Sequence, residues 1–229
     1  MSTTDVTFEL PDGEQLQVGV RQLFNAGYAG RNQEAVQAHI DELAELGVPG
    51  PSVTPAMYPV SPYLAQQCTE VAVQHDRTSG EAEWALIAAQ GSYYLTVACD
   101  HTDRELEKNG VAWSKNASPD VVGRQAWPLE QIEDHLDEIT LQAWVAQDGQ
   151  RTQIQDSTLG ELLPPRYWIE ELSRRGLMTD GTIVLSGTPV MLAGVDQFAE
   201  RWEVVMSDGR LDRSIGVDYT VVRMPDPIG

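Results

Sequence analysis

The stretch TSGEAEWALIAAQGSYYLTVACDHTDRELE, residues 78–107, carries the strongest signal for the fold of this protein. Two apolar runs rich in strand-forming residues flank Gln90-Gly91, an arrangement that is typical of a β-hairpin with a short turn. Residues equally distant from such a turn pair across the hairpin, so Glu81 is expected opposite Asp100. The register of this hairpin therefore decides which side chains meet.

Three carboxylates are expected on one face of this hairpin. Side chains alternate along a strand, so Glu81 and Glu83 share a face, and Asp100 joins them from the paired strand. Opposed residues lie about 4.5–5.5 Å apart at Cβ, where like charges destabilise a sheet unless water or a cation separates them. Oxygen ligands suit a hard divalent ion, Mg²⁺ first and then Mn²⁺ or Ca²⁺. A Glu-x-Glu pair is also typical of a solvated strand face, so the spacing leaves a metal site and an exposed acidic face as alternatives.

The sequence pattern of residues 1–50 predicts a small, separate structural unit. Alternating apolar and polar residues on both sides of Asp12-Gly13 predict a β-hairpin, and apolar residues at three-to-four spacing predict an amphipathic helix over 31–46. Five prolines between positions 49 and 62 exclude a helix interior or a central strand and favour an extended connector. We therefore predict a hairpin-helix unit at 1–50 and a larger domain at 51–229.

Strands dominate the rest of the chain, and helices lie between them without a regular βαβ alternation. The pattern predicts two further strands, two helices and a closing hairpin: strands 141–147 and 182–186, helices 129–138 and 165–175, and a hairpin about Asp208-Gly209. The predicted fold class is α+β, built around a mixed or largely antiparallel β core.

Composition and charge exclude several classes of protein. The 229 residues carry 15 Lys and Arg against 35 Asp and Glu, a formal net charge of −20 that repels nucleic acid and anionic membranes. No apolar run reaches the roughly 18 residues of a membrane span, and no export signal is visible. Two cysteines without a paired spacing suit a reducing compartment. We expect a soluble cytoplasmic protein with neither nucleic acid nor a membrane as a partner.

The chain carries an ordered series of short motifs. In chain order they are Glu81-Ala82-Glu83 before an apolar strand, Cys99-Asp100-His101-Thr102-Asp103-Arg104-Glu105, Lys115 followed by Pro119, Gly181 to Pro189, and a closing strand pair with Glu203, Gly209 and Leu211. Over about residues 51–225 this series resembles the fumarylacetoacetate hydrolase superfamily, and within it a bacterial branch described as a domain of unknown function. The resemblance implies a catalytic, strand-rich β-roll of mixed sheets for residues 51–229, and a homodimer.

The resemblance also implies a metal centre and a catalytic lysine. Glu81, Glu83 and Asp100 match the family's ligands of a catalytic divalent ion, so the implied cofactor is Mg²⁺, or Mn²⁺ or Ca²⁺ in its place. Lys115 matches the residue that lies beside the bound substrate and stabilises negative charge on it.

Three further residues are implied to bind the substrate, a small carboxylate. Thr188, at the end of its predicted strand, would donate a hydrogen bond to the substrate carboxylate. Tyr63 matches the tyrosine of the family motif Asn-Tyr-x-x-His-x-x-Glu. Arg104 is either a clamp for the carboxylate or a structural ion-pair partner for the neighbouring acidic run, and we favour the structural role.

The chain departs from that motif at its two catalytic positions. Gln66 stands at the His position and Thr69 at the Glu position. Because glutamine cannot accept a proton at neutral pH, the expected general base is missing. His101, next to Asp100, is our candidate for a replacement base, with His75 behind it. The alternative for His101 is a packing or supporting role beside the ligands.

The predicted function is that of an enzyme. We expect a divalent-metal-dependent hydrolase or lyase that cleaves a C–C bond in a small 2-oxo acid or 1,3-dicarbonyl compound resembling an acylpyruvate. A decarboxylase or a tautomerase on the same metal site is an alternative, because neither depends as strongly on the missing base. A protein that binds a metal or a carboxylate without catalysis is a further alternative.

Overall fold

The computed structural model describes residues 4–45, 50–51 and 53–228, which form fifteen β-strands and three α-helices. The helices are α1 (Gln33–Glu45), α2 (Val111–Lys115) and α3 (Pro165–Arg174). The strands, in chain order, are β1 (Thr4–Glu9), β2 (Gln15–Val20), β3 (Gln22–Gly27), β4 (Ala56–Val60), β5 (Ala65–Gln66), β6 (Glu70–Val73), β7 (Thr78–Ala89), β8 (Ser92–Asp103), β9 (Asp120–Val122), β10 (Trp127–Pro128), β11 (Thr140–Gln147), β12 (Gln150–Thr158), β13 (Thr182–Leu185), β14 (Arg201–Asp208) and β15 (Arg213–Arg223).

Two mixed sheets and one separate hairpin contain these strands. The eight-stranded sheet has the order β4-β3-β13-β7-β8-β9-β5, with β10 paired to β8, and the five-stranded sheet has the order β12-β11-β14-β15-β6. Strands β1 and β2 form a separate two-stranded sheet, and Glu9 at the end of β1 makes an isolated parallel bridge with Gln125. Parallel pairing occurs between β3 and β13, β5 and β9, and β6 and β15. The predicted α+β class with a strand-rich, mixed-sheet core is confirmed.

The hairpin of β7 and β8 has the predicted register. Glu81 pairs with Asp100, and Glu83 pairs with Ala98. Gln90 and Gly91 both have positive φ values, 53° and 72°, as the two central residues of a type I′ turn require. The turn chemistry thus fixes which residues of the two twelve-residue strands face each other.

Both faces of β7 are buried, because each face belongs to a different apolar core. One core lies between the two mixed sheets and contains Trp84 of β7 together with Trp202 of β14 and Tyr219 of β15. The other contains Ile87 of β7 and Phe8 of the N-terminal hairpin. All twelve residues of β7 are buried as a result, including its two glutamates.

The eight-stranded sheet curls on itself. The Asn25 side chain on β3 donates hydrogen bonds to Asp100 on β8 and Asp120 on β9, each 3.0 Å long. Strands β13 and β7 separate β3 from β8, and three strand spacings in a flat sheet would amount to about 14 Å. The concave face of the curled sheet therefore brings side chains of distant strands together at one end.

The N-terminal region forms the predicted hairpin and helix. The predicted helix over 31–46 is observed as Gln33–Glu45, and its predicted end at Gly47 lies outside the described residues. Strand β3 pairs in parallel with β13 and antiparallel with β4, a strand of the proline-rich segment that lies at the edge of the sheet. The division of the chain at residue 50 stays a prediction, and strands on both sides of it share one sheet.

One predicted helix has a different form. Residues 129–138 form two 3₁₀ turns, Leu129–Gln131 and Glu133–Glu138, rather than an α-helix. His135 has non-helical backbone angles, and its ring nitrogens are held by Asp134 and Asp208, so the segment kinks there. None of the described helices is long and apolar enough to cross a membrane.

Candidate metal centre

The three predicted carboxylates converge at the end of the concave face. One oxygen each from Glu81, Glu83 and Asp100 lies within 4.8 Å of the other two. Glu81 is 8% exposed, and Glu83 and Asp100 are fully buried. The alternative of a solvated acidic face is therefore wrong, and the cluster lies inside the protein.

Two basic side chains balance the negative charge. Lys115, the last residue of α2, donates from Nζ to Glu81 Oε2 at 2.9 Å and to Asp100 Oδ2. Arg104 donates to Glu81 Oε1 at 2.8 Å, to Ser79 at 2.7 Å and to Glu107 at 3.2 Å. Arg104 thus makes ion pairs with the acidic residues around it, as expected for the structural role.

The carboxylates differ in the partners that they have. Burial raises the pKa of Glu81, but Lys115 and Arg104 more than reverse that effect and lower the pKa to about 2. Burial raises the pKa of Glu83 well above its usual range, and the neighbouring Asp100 and Glu81 add to the rise against the opposing effect of Lys115. Glu81 is therefore ionised, whereas Glu83 favours its neutral form.

Glu83 also carries a free oxygen. Its Oε2 accepts a hydrogen bond from the backbone N–H of Gly187 at 2.8 Å, whereas its Oε1 has no partner among the described residues. Gly187 has a φ of +80°, and a Cβ at this position would lie 3.2 Å from the carbonyl oxygen of Ala26. A buried carboxylate oxygen without a donor, beside two further carboxylates, fits a hard divalent ion that takes only oxygen ligands.

Buried polar side chains around Asp100 hold its carboxylate in position. Thr102 donates to Asp100 Oδ1 at 3.2 Å, and Asn25 bridges Asp100 and Asp120. Asp120 pairs with Asp100 in the β8–β9 register and is fully buried. Burial and the adjacent Asp100 raise the pKa of Asp120 well above its usual range. The sequence prediction missed both Asn25 and Asp120, and an acidic residue within the apolar run after Pro119 was the only signal for the latter.

The structure does not bring His101 to this cluster. His101 pairs with Gly80, so its side chain lies on the face of β8 opposite to Asp100. Its ring nitrogens contact Tyr219 Oη at 2.9 Å and Thr78 Oγ1 at 3.0 Å. Burial, with a contribution from Arg104, lowers the pKa of His101 to about 3. This placement matches the packing alternative and not a replacement base.

The second candidate base is also engaged elsewhere. His75 Nε2 lies 3.0 Å from Asp103 Oδ2 and 4.0 Å from Glu105 Oε2. Gln66, at the family's His position, donates to the carbonyl oxygen of Tyr63 at 3.2 Å, and Thr69 is exposed. The predicted absence of the usual base pair therefore agrees with where these side chains lie.

The two remaining substrate candidates lie at different distances from the centre. Thr188 directly follows Gly187, whose N–H binds Glu83, and its hydroxyl accepts a hydrogen bond from Gln155 at 2.7 Å. Tyr63 lies in the 3₁₀ turn Pro62–Leu64 and is 61% exposed. No hydrogen bond within the described residues joins the Tyr63 side chain to the carboxylates.

The fold and the buried carboxylate centre together define a class of protein. The strand-rich architecture of mixed sheets is that of fumarylacetoacetate hydrolase-like proteins. The chain belongs to the family described as "Protein of unknown function (DUF2848)", whose model matches residues 26–219. None of the curated proteins matches the chain.

Solved structures with the same fold include two related crystal structures of one enzyme. The hexagonal crystal form of 2-keto-3-deoxyarabinonate dehydratase matches with a TM-score of 0.64 and 14% identity, covering 90% of this chain and 74% of that chain. The complex of 2-keto-3-deoxy-D-arabinonate dehydratase with magnesium and 2,5-dioxopentanoate matches with a TM-score of 0.62 and 15% identity over the same shares. The structure of Cg1458 has a TM-score of 0.57 and 15% identity, covering 90% of this chain and 77% of that one. At these identities the likeness is one of fold.

Proposed function

We propose that this protein is a divalent-metal-dependent enzyme, a hydrolase or lyase that cleaves a bond in a small 2-oxo acid. The observation that carries this proposal is the buried triad of Glu81, Glu83 and Asp100 beside Lys115. The dehydratase of the same fold supports it, because its crystal structure contains magnesium and a dioxo acid.

The three carboxylates would hold the ion, with Mg²⁺ as the first choice. A divalent ion at this place supplies a Lewis acid for the oxygens of a 2-oxo carboxylate. The chain itself contributes a positive charge from Lys115 to offset negative charge that develops on the substrate. Thr188 follows Gly187, whose N–H binds Glu83, and we propose that its hydroxyl turns from Pro189 to donate a hydrogen bond to the substrate carboxylate.

The missing base favours lyase chemistry over hydrolysis. Hydrolysis needs a group that takes a proton from water. His101 lies on the opposite face of β8, Gln66 donates to the carbonyl oxygen of Tyr63, and Thr69 is exposed. Decarboxylation of a 2-oxo acid requires no activated water, since the C–C bond breaks with its electron pair left on the substrate as an enolate and CO₂ as the leaving group. We therefore rank cleavage by a lyase, including decarboxylation, ahead of hydrolytic cleavage of an acylpyruvate-like compound.

The test is turnover of a panel of 2-oxo acids with Mg²⁺. The panel contains an acylpyruvate, oxaloacetate and a 2-keto-3-deoxy sugar acid, and products are followed by chromatography. We expect turnover of at least one compound by the wild type, loss of that turnover in Glu83→Gln, and wild-type turnover in the partly exposed control Glu203→Gln. Stabilisation against heat by a 2-oxo acid without any turnover would instead support a non-catalytic binding protein.

The remaining partner predictions are part of the proposal. We propose a homodimer located in the cytoplasm that takes a small carboxylate as its substrate, with neither nucleic acid nor a membrane as a partner. Light scattering at micromolar concentration tests the oligomeric state, and a monomeric mass would contradict it.

A further inference from the structure

The chain contains two lysines, and one of them occupies the carboxylate centre. The side chain of Lys115 is 6% exposed and contacts two of the three proposed ligands, Glu81 and Asp100. Lys108 lies in the 3₁₀ turn Leu106–Lys108 that precedes α2, and it is exposed. One amine is thus inside the centre, and the other provides an internal reference for it.

The oxygen atoms around the centre are almost fully engaged. Glu81 gives one oxygen to Arg104 and the other to Lys115. Asp100 Oδ2 accepts hydrogen bonds from both Lys115 and Asn25. Among the oxygens of the three carboxylates, only Glu83 Oε1 has no partner within the described part of the chain; beside them, Asn25 Oδ1 and Asp120 Oδ2 also lack one. An ion that takes an oxygen from each carboxylate therefore competes for atoms that Lys115 Nζ already binds.

We propose that Lys115 and the divalent ion use the same carboxylate oxygens in turn, so that metal binding releases the Lys115 ammonium group from Glu81 and Asp100. This inference rests on the proposed metal-dependent function. Two positive charges within a few ångströms in a buried site repel strongly, so simultaneous occupation is unfavourable.

Polar groups other than the three carboxylates lie near Lys115. Lys115 ends the five-residue helix α2, whose Trp113 is 64% exposed, so the helix lies at the protein surface. Burial raises the pKa of the half-buried Tyr28 and raises that of the half-buried Tyr58 to about 12, and the positive charge of Lys115 opposes the rise in both. Lys115 is therefore in electrostatic reach of polar hydroxyl groups outside the carboxylate triad. After its release from Glu81 and Asp100, the Lys115 ammonium group is free to contact a substrate, so it is available to the substrate only when the ion is bound.

The test measures the reactivity of both lysines with an amine-acetylating reagent. Wild-type protein is labelled at a series of Mg²⁺ concentrations, and acetylation at each lysine is quantified by mass spectrometry. We expect Lys115 to be protected without Mg²⁺ and to react about tenfold faster or more at saturation, since charge-assisted hydrogen bonds to Nζ are lost. Lys108 should react at a constant rate, and the Lys115 rate should follow the Mg²⁺ binding curve from calorimetry.

Calorimetry of Lys115→Met separates the inference from the proposed function. The variant should bind Mg²⁺ about tenfold tighter or more than the wild type, because no ammonium group has to leave. Mg²⁺ binding by the wild type with no rise in Lys115 labelling would overturn the exchange but leave the metal site standing. Binding by Lys115→Met alone would support the exchange in its extreme form. Absence of binding in both proteins would remove the metal function and the exchange together.

Discussion

The two faces of strand β8 bury polar side chains in opposite ways. One face carries Asp100, which together with Glu81 binds the ammonium group of Lys115. The other face carries His101, the next residue, whose ring contacts only hydroxyl groups, among them that of Tyr219. Asp100 and His101 are equally buried, at 0% exposure. Burial alone therefore does not decide whether a group on this strand is charged.

The partners decide it. Glu81 keeps its charge because two basic groups lie within hydrogen-bond distance, and its pKa falls to about 2. Burial, helped by the charge of Arg104, lowers the pKa of His101 to about 3, and among the described residues its ring nitrogens bond the hydroxyl groups of Tyr219 and Thr78 and no carboxylate. A charge-bearing face suits a metal centre, and a neutral face suits the core between two sheets. Changing one group on each face tests this difference.

The largest effect on stability is expected from Glu81→Ala on the charged face. The substitution removes a single carboxylate whose two oxygens bind Lys115 and Arg104, and both of these basic side chains are largely buried. We expect the free energy of unfolding to fall by about 3 kcal/mol, because each of the two buried cations loses one of its carboxylate partners, Lys115 keeping Asp100 and Arg104 keeping Glu107. Urea denaturation at neutral pH measures the change.

The matched control for this variant is an exposed ion pair. Arg151 donates to Glu203 at 2.8 Å, and its side chain is 51% exposed. Glu203→Ala should cost at most about 1 kcal/mol, as is usual for pairs at the surface. If the two variants lost equal stability, the charges around β8 would not be desolvated, and the distinction between the two faces would fail.

The next largest effect is expected on metal affinity from Asp100→Asn. The amide keeps one oxygen for Lys115 and can donate to the Thr102 hydroxyl, so the fold should persist with a thermal midpoint close to that of the wild type. Losing one carboxylate ligand should weaken Mg²⁺ binding by about 100-fold or more, since losing a mere supporting contact already costs about 10–100-fold. Isothermal calorimetry measures the affinity. Unchanged Mg²⁺ binding would refute Asp100 as a ligand.

The hairpin at the centre of the molecule could be predicted from the sequence because its determinants are local. Gln90-Gly91 specifies a two-residue turn. That turn fixes which residue of β7, before it, pairs with which residue of β8, after it. The meeting of Glu81 with Asp100 follows from the register alone. Strand alternation likewise places Glu83 on their face.

The surroundings of the carboxylates depend on contacts between distant parts of the chain. Asn25 is 75 residues before Asp100, and it reaches Asp100 only because the sheet curls. Asp120 faces the centre through its pairing with β8, which no local pattern specifies. The burial of His101 depends on Tyr219, 118 residues later in the five-stranded sheet. Local periodicity says which face a residue occupies but not what will cover that face.

The smallest effect is expected on the neutral face, from His101→Gln. Glutamine keeps a donor and an acceptor for Tyr219 and Thr78, so the free energy of unfolding at neutral pH should fall by only about 1–2 kcal/mol.

The pH dependence distinguishes His101→Gln from the wild type. Because the pKa of His101 is about 3 when folded and 6.5 as its ordinary value, the unfolded chain gains a proton first as the pH falls below about 6.5. Wild-type stability therefore falls from this source between about pH 6.5 and 3, and the glutamine variant lacks that loss. Each pH unit below about 6.5 costs the wild type about 1.4 kcal/mol, so the stability gap should close as the pH falls, and by about pH 4.5 the glutamine variant should be the more stable protein in urea denaturation. Mg²⁺ affinity should stay within about twofold. A gap that stays constant with pH would mean that folding does not lower the pKa of His101. A large loss of Mg²⁺ affinity would mean that the two faces of β8 do not act independently.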